Sequence, residues 1–255
     1  MIFDFNGVLA DDEAPHLRCF QQALAEEGFR LTAEEYYGTY RGMDERTCAE
    51  ALIRARDSRN DSGLLTRITE RKAELFRAHS HTHKPALFRG VVEFIKEAKT
   101  CCRLAIASGG RREQIAHALS GTPIEHDFAV IVSADDCAVG KPDPAMYALT
   151  LKLLNGYEPR PPLIRADECL VLEDSQAGIL SAKQAGMKVI GLATTYPAPS
   201  LSEAHAVLLG LEGMTLRALL SLPGIRNRGT AKTIGASKED RDDGGGAQNG
   251  IRTPI

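Results

Sequence analysis

The stretch Cys169-Leu170-Val171-Leu172-Glu173-Asp174-Ser175-Gln176-Ala177-Gly178 runs from an apolar segment into two adjacent carboxylates and then into the start of a helical pattern. Its first half shows no polar alternation, which suits a strand of a parallel sheet covered on both faces. Working outward, residues 1–5, 104–107, 129–132 and 188–192 share that character. Helical segments at 114–119, 144–154 and 176–185 lie among them. The alternation predicts right-handed βαβ crossovers and an α/β fold with a doubly wound, Rossmann-like parallel sheet. Ligands of such sheets bind outside the carboxyl ends of the strands.

Residues 14–85 break this rhythm. Leu17, Phe20 and Leu24, and later Ile68 and Leu75, recur near helical spacing with no strand pattern between them, so a helical insertion over the ligand site is expected. The organisation read from the chain is an α/β core from 1–13 and 86–223, a helical insertion at 14–85 and a disordered tail at 224–255. That tail is polar and glycine-rich, with little to bury. The first apolar run starts at Met1 itself, which makes the first strand short and is compatible with a start further upstream.

Composition narrows the function classes. A chain of 255 residues suits one α/β domain with an insertion, and 43% hydrophobic with 25% charged residues excludes global disorder. A net charge of -3 argues against a nucleic-acid footprint, which needs a basic excess to meet phosphates. No apolar run approaches a membrane span and no export signal is evident. Six cysteines without a CxxC pair read as free thiols in a reducing cytoplasm. The expected partner is a small phosphorylated metabolite, and the chain is expected to be a monomer or weak homodimer.

Four strand ends carry the chemistry. Asp4-Phe5-Asn6-Gly7 puts a carboxylate at the end of the first strand and a glycine where the backbone turns; alone, such an aspartate is more often a turn or helix cap. Ala107-Ser108-Gly109-Gly110 offers a hydroxyl and open backbone N–H groups to an anion, or an ordinary N-cap. Lys141, between Gly140 and Pro142, offers a fixed positive charge or a solvated surface lysine. Glu173 and Asp174 are costly beside an apolar strand unless a cation or hydrogen bonds satisfy them.

In this order the four motifs resemble those of the haloacid dehalogenase superfamily, and Glu173-Asp174-Ser175-Gln176-Ala177-Gly178-Ile179 resembles its β-phosphoglucomutase and phosphoglycolate phosphatase branch. The resemblance covers about residues 1–222. It implies Asp4 as the nucleophile, Ser108, Gly109 and Lys141 on the phosphoryl group, and Mg²⁺ held by Asp4, the Asn6 backbone carbonyl and Asp174, with Glu173 beside it. It also implies that the insertion is an α-helical cap hinged near His16 and near 82–85. Arg41 and Arg46 resemble a cap segment that meets the far end of a phosphorylated sugar, with an exposed salt bridge as the alternative. His16 reads either as a contact to position 6 or as a packed hinge residue.

Asn6 departs from the pattern, because phosphatases and mutases of this superfamily carry an acid/base aspartate there. An amide exchanges no proton near neutral pH. Three readings follow: a phosphatase in which His16, Glu13 or water substitutes, a slow phosphate-binding protein, or one of the branches that dispense with that aspartate. A phosphonatase would need a cap lysine, and the insertion offers only Lys72, with Lys84 at its hinge. A mutase relies still more on acid–base exchange. Asn6 precedes Gly7, so deamidation to aspartate is a further route to activity. His79, His81 and His83 read as solvated linker residues rather than metal ligands, and Cys101 with Cys102 as packing residues.

Overall fold

A computed structural model describes residues 1–40, 45–56, 63–157 and 162–225, with the side chains of 45–47 and 81 outside that description. Its centre is β1 (Ile2–Phe3), whose two residues point to opposite faces and are both fully buried. On one side β1 pairs in parallel with β4 (Ala105–Ala107), which pairs with β5 (Val130–Val132); on the other it pairs with β6 (Leu170–Glu173), followed by β7 (Lys188–Leu192) and β8 (Ala206–Leu208). The order β5-β4-β1-β6-β7-β8 reverses direction at β1. The carboxyl ends of β1, β4 and β6 therefore surround the crevice where an open parallel sheet takes its ligand.

Period-two alternation divides the core into two layers. Ile2, Ala105, Val171 and Val189 face α7 (Ala145–Tyr157) and α8 (Gln176–Gln184) through Tyr147, Leu154, Ile179 and Ala182. Phe3, Ile106, Leu172 and Ile190 face the opposite layer of α5 (Val91–Ala98), α6 (Arg112–Leu119) and α9 (Leu216–Leu220). The strands are thus covered on both faces, as their unbroken apolar runs require. β8 was absent from the sequence reading, and its three half-buried residues explain why it lacks that signal.

Between β1 and α5 the chain makes a two-residue strand β2 (Ala10–Asp11), the helices α1 (Glu13–Glu26), α2 (Ala33–Glu35), α3 (Glu45–Arg56) and α4 (Leu64–Thr82), and then β3 (Ala86–Leu87). β2 and β3 pair antiparallel, tying the outgoing and returning chain together, a pairing too short to leave a sequence pattern. Leu17, Phe20, Leu24 and Ile68, on the helical spacing noted above, form with Leu52 a separate hydrophobic cluster within these helices. His79 and His81 belong to α4 and His83 caps it, which corrects their reading as linker residues, although His83 is exposed as expected. Of the tail expected at 224–255, residues 226–255 lie outside the described residues, while Ile225 is buried in the core, so the core reaches two residues further along the chain than expected; Arg41 also lies outside the described residues, and Arg46 is placed only through the backbone of α3. Among the described residues no helix is long and apolar enough to cross a membrane.

Candidate active site

The strand ends bring four of the sequence-derived residues into contact. Lys141 donates from Nζ to Asp4 Oδ1 at 2.7 Å, to Glu173 Oε1 at 2.6 Å and to the carbonyl of Ala107 at 3.1 Å. Its ammonium thus bridges the ends of β1, β4 and β6. Glu173 is fully buried, and its remaining acceptor capacity is filled by Tyr147 Oη (3.0 Å) and by the backbone N–H and hydroxyl of Ser175 (3.0 and 2.9 Å). Ser175 Oγ in turn accepts from the Gly178 N–H at 3.0 Å, capping α8. Glu173 is therefore fully engaged in holding Lys141 and the helix start, and the open lone pairs belong to Asp4 and Asp174.

Two glycines are dictated by these carboxylates. Gly7 has φ +74°, and a Cβ there would lie 1.9 Å from Asp174 Oδ2; a Cβ on Gly178 would lie 1.7 Å from Glu173 Oε1. Either substitution drives a carbon into a buried carboxylate. Thr194 Oγ1 donates to the Gly7 carbonyl and Thr195 hydrogen-bonds Asp174, so the loop after β7 braces the turn after β1. Ser108 is buried at the end of β4, and its oxygen accepts from the Gly110 N–H at 3.0 Å, which leaves its own proton to meet an anion. Gly109 is exposed, with open space where a side chain would stand.

His16 sits elsewhere. Its Nδ1 lies 2.6 Å from Nζ of Lys72, its Nε2 lies 3.3 Å from Asp12 Oδ2, and its ring stacks on Phe76 at 4.0 Å. Lys72 is fully buried, with Phe20 and Phe76 within 5.2 Å of its ammonium. A protonated Lys72 requires Nδ1 to accept, which puts the imidazole proton on Nε2 facing Asp12. Sequence reading found no motif around Lys72. The available signal was its position on the stripe of Ile68 and Leu75, where an apolar residue was due.

A family model described as haloacid dehalogenase-like hydrolase matches residues 1–192. The chain belongs to the haloacid dehalogenase-like hydrolases. It falls in their β-phosphoglucomutase and phosphoglycolate phosphatase branch, in agreement with the motif resemblance. Protein CbbY of Cereibacter sphaeroides is 33% identical over 236 residues, covering 86% of this chain and 97% of its own. A phosphorylated carbohydrates phosphatase of Thermotoga maritima is 28% identical over 212 residues, covering 82% and 92%. The crystal structure of a mutant CbbY from Rhodobacter sphaeroides with xylulose-(1,5)-bisphosphate aligns with a TM-score of 0.63 at 27% identity, covering 86% of this chain and 97% of that one. These relatives make the chain an enzyme of the family's phosphatase type.

The electrostatics of this hydrolase favour a divalent cation. Asp4, Glu173 and Asp174 present carboxylate oxygens within 4.8 Å of one another, all buried, against the single ammonium of Lys141. Burial, opposed by Lys141 and reinforced by Glu173, pushes the Asp4 carboxyl up to about 6, and burial followed by Glu173 and Asp4 raises Asp174 well above the carboxylate range. Burial pulls the Lys141 ammonium down, but Asp4 and Glu173 outweigh it and hold the group charged. The cluster must therefore take up protons or a cation. A carboxyl raised on folding contributes stability below its ordinary value near 3.8 and loses it as pH rises through about 6. The metal-free protein is accordingly expected to melt at lower temperature as pH rises across that window. Mg²⁺ should raise the melting temperature more at a pH about two units above it than at its acid end. Equal Mg²⁺ shifts at both pH values, read by differential scanning fluorimetry, would remove the acidic cluster as the binding site.

Proposed function

We propose that this chain is a Mg²⁺-dependent hydrolase of small phosphate monoesters of the sugar-phosphate kind, working through an aspartyl-phosphate on Asp4, with α1 to α4 as its cap. The observation that carries the reading is the Asp4–Lys141–Glu173 contact with Asp174 alongside at the switch point of the sheet. The donor set suits Mg²⁺, which would be held by Asp4, Asp174 and the Asn6 carbonyl. When bound, it supplies charge neutralisation for a carboxylate approaching a phosphate dianion.

The chain's own groups account for the rest. Glu173 and the Ala107 carbonyl fix the Lys141 ammonium, so its third N–H can swing from Asp4 to donate a hydrogen bond to a phosphoryl oxygen as Asp4 turns to attack, keeping its proton. Ser108 is positioned to donate to a second oxygen. A bond forms from Asp4 to phosphorus and the ester oxygen leaves with its electron pair. That oxygen needs a proton, and Asn6 has none to give. Esters with good leaving groups should therefore phosphorylate Asp4 readily, while later attack by water, lacking a base at position 6, is slow.

Asn6 also favours a second reading, a phosphate-binding protein with little or no turnover; a mutase-type phosphotransferase needs more acid–base exchange still. A panel of phosphate esters with acetyl phosphate, assayed with Mg²⁺ and with excess chelator, separates these. The hydrolase reading expects phosphate release that the chelator suppresses by about a hundredfold or more. Tight phosphate binding without release from any ester supports the second reading, and chelator-insensitive release contradicts the metal assignment.

A further inference from the structure

We propose that Thr194 and Thr195, in the loop after β7, are a positioning pair that sets the spacing of the metal ligands and so favours Mg²⁺ over the larger Ca²⁺. The inference rests on the metal assignment made above and adds to it the side chains that hold the ligands in place.

A carboxylate or loop carbonyl that is not tied down lets a site swell around whatever ion enters. Asp4 is tied by the Lys141 ammonium on its Oδ1 at 2.7 Å and by its backbone N–H on the Leu172 carbonyl at 3.0 Å. The Asn6 carbonyl shares a peptide plane with the N–H of Gly7, which donates to the Ala10 carbonyl at 2.9 Å. On its other side Gly7 accepts, through its own carbonyl, from Thr194 Oγ1. That Oγ1 lies 3.3 Å from the Leu192 carbonyl, so the residue following Asn6 is tied to the end of β7.

The order β1-β6-β7 puts the end of β6 between the two segments that Thr194 joins, and Asp174 follows β6 directly. Thr195 brings its hydroxyl to the Asp174 carboxylate, to which it can only donate. Both oxygens occupy the space that Gly7 leaves by having no side chain: Asp174 Oδ2 lies 1.9 Å, and Thr195 Oγ1 2.6 Å, from the position of a Cβ there. Consecutive hydroxyls of one loop therefore couple the turn that carries the Asn6 carbonyl to Asp174. The β-branched threonine holds its hydroxyl in fewer rotamers than serine, which stiffens the link.

Ion size is where this link acts. Mg²⁺ takes ligands at about 2.0–2.1 Å in a near-octahedral array, whereas Ca²⁺ accepts about six to eight at 2.3–2.6 Å in a flexible one. Ligands coupled through one loop cannot spread by those few tenths of an ångström without stretching a hydroxyl bond. Releasing them costs Mg²⁺ its preformed site and costs Ca²⁺ little.

The test is calorimetric titration of Mg²⁺ and of Ca²⁺ into the metal-free protein, comparing wild type with Thr194→Val, Thr195→Val and Thr195→Ser. Each valine keeps the shape and loses the hydroxyl, and should weaken Mg²⁺ binding by about tenfold or more but Ca²⁺ binding by less than about threefold. Thr195→Ser keeps the hydroxyl and should stay within about threefold of wild type for both ions. If a valine variant does not fold, the alanine at the same position removes the same hydroxyl and is held to the same expectation. A wild type that binds neither ion removes the metal assignment and this inference with it. Unchanged Mg²⁺ affinity, equal weakening for both ions, or a serine variant as weak as the valine overturns the inference alone and leaves the metal assignment standing.

Discussion

Asp4→Asn is expected to abolish Mg²⁺-dependent phosphate release, a loss of at least about a thousandfold in kcat, while the metal-free protein becomes more stable at neutral pH. The first effect follows from removing the attacking oxygen's charge. The second follows from the sign of the Asp4 shift. Burial and Glu173 together exceed the pull of Lys141, so the ionised carboxylate is a net cost to the fold above about pH 6. An amide of the same shape keeps an oxygen facing Lys141, and Lys141 retains Glu173 and the Ala107 carbonyl, so no charge is left unpaired. Lost activity together with a lower melting temperature would show that Asp4 is a structural partner of Lys141 first. Unchanged activity would end the nucleophile assignment.

Asn6→Asp is expected to act in the opposite direction, raising kcat on alcohol esters by about a hundred- to ten-thousandfold. A carboxyl at position 6 can protonate the leaving oxygen and later take a proton from water. The pocket that Asn6 borders brings Asp12, His79, His83 and His117 to the same side. If one of these already does the work, the gain collapses to a few-fold and the pH profile stays as in the wild type. Intact-mass analysis of the wild type must accompany the assay, because an Asn-Gly pair that had deamidated would already contain the aspartate. Under the present reading the wild type remains the amide and slow.

How much of this was legible in the sequence depended on where each residue's partner lies. The parallel strands were readable because both faces are buried, leaving unbroken apolar runs, and their polar ends marked Asp4, Ser108, Glu173 and Asp174. Lys141 was readable from its place before Pro142, but not that it would bridge Asp4 and Glu173, which stand 137 and 32 residues away. Tyr147 carries no local signal within α7, since nothing in its neighbourhood in the sequence announces a hydroxyl aimed at Glu173. Lys72 broke the apolar stripe of α4, and its partner His16 lies 56 residues earlier, so the pair formed only on folding. His79 and His83 were read as linker residues because they alternate with polar neighbours just before the hinge at 82–85, whereas α4 continues through Thr82 and His83 turns extended to cap it. Arg41 and Arg46 keep only the resemblance that singled them out.

The reaction proposed for this site requires Asp4 to become covalently phosphorylated. Rapid mixing of the Mg²⁺-loaded wild type with acetyl phosphate, followed by acid quench and peptide mass spectrometry, tests it without assuming a natural substrate. The account predicts one phosphoryl group on the peptide containing Asp4, accumulating before steady-state phosphate release because Asn6 cannot activate water, and reduced in Asn6→Asp. Steady phosphate release with no phosphorylated Asp4 at any quench time would contradict it.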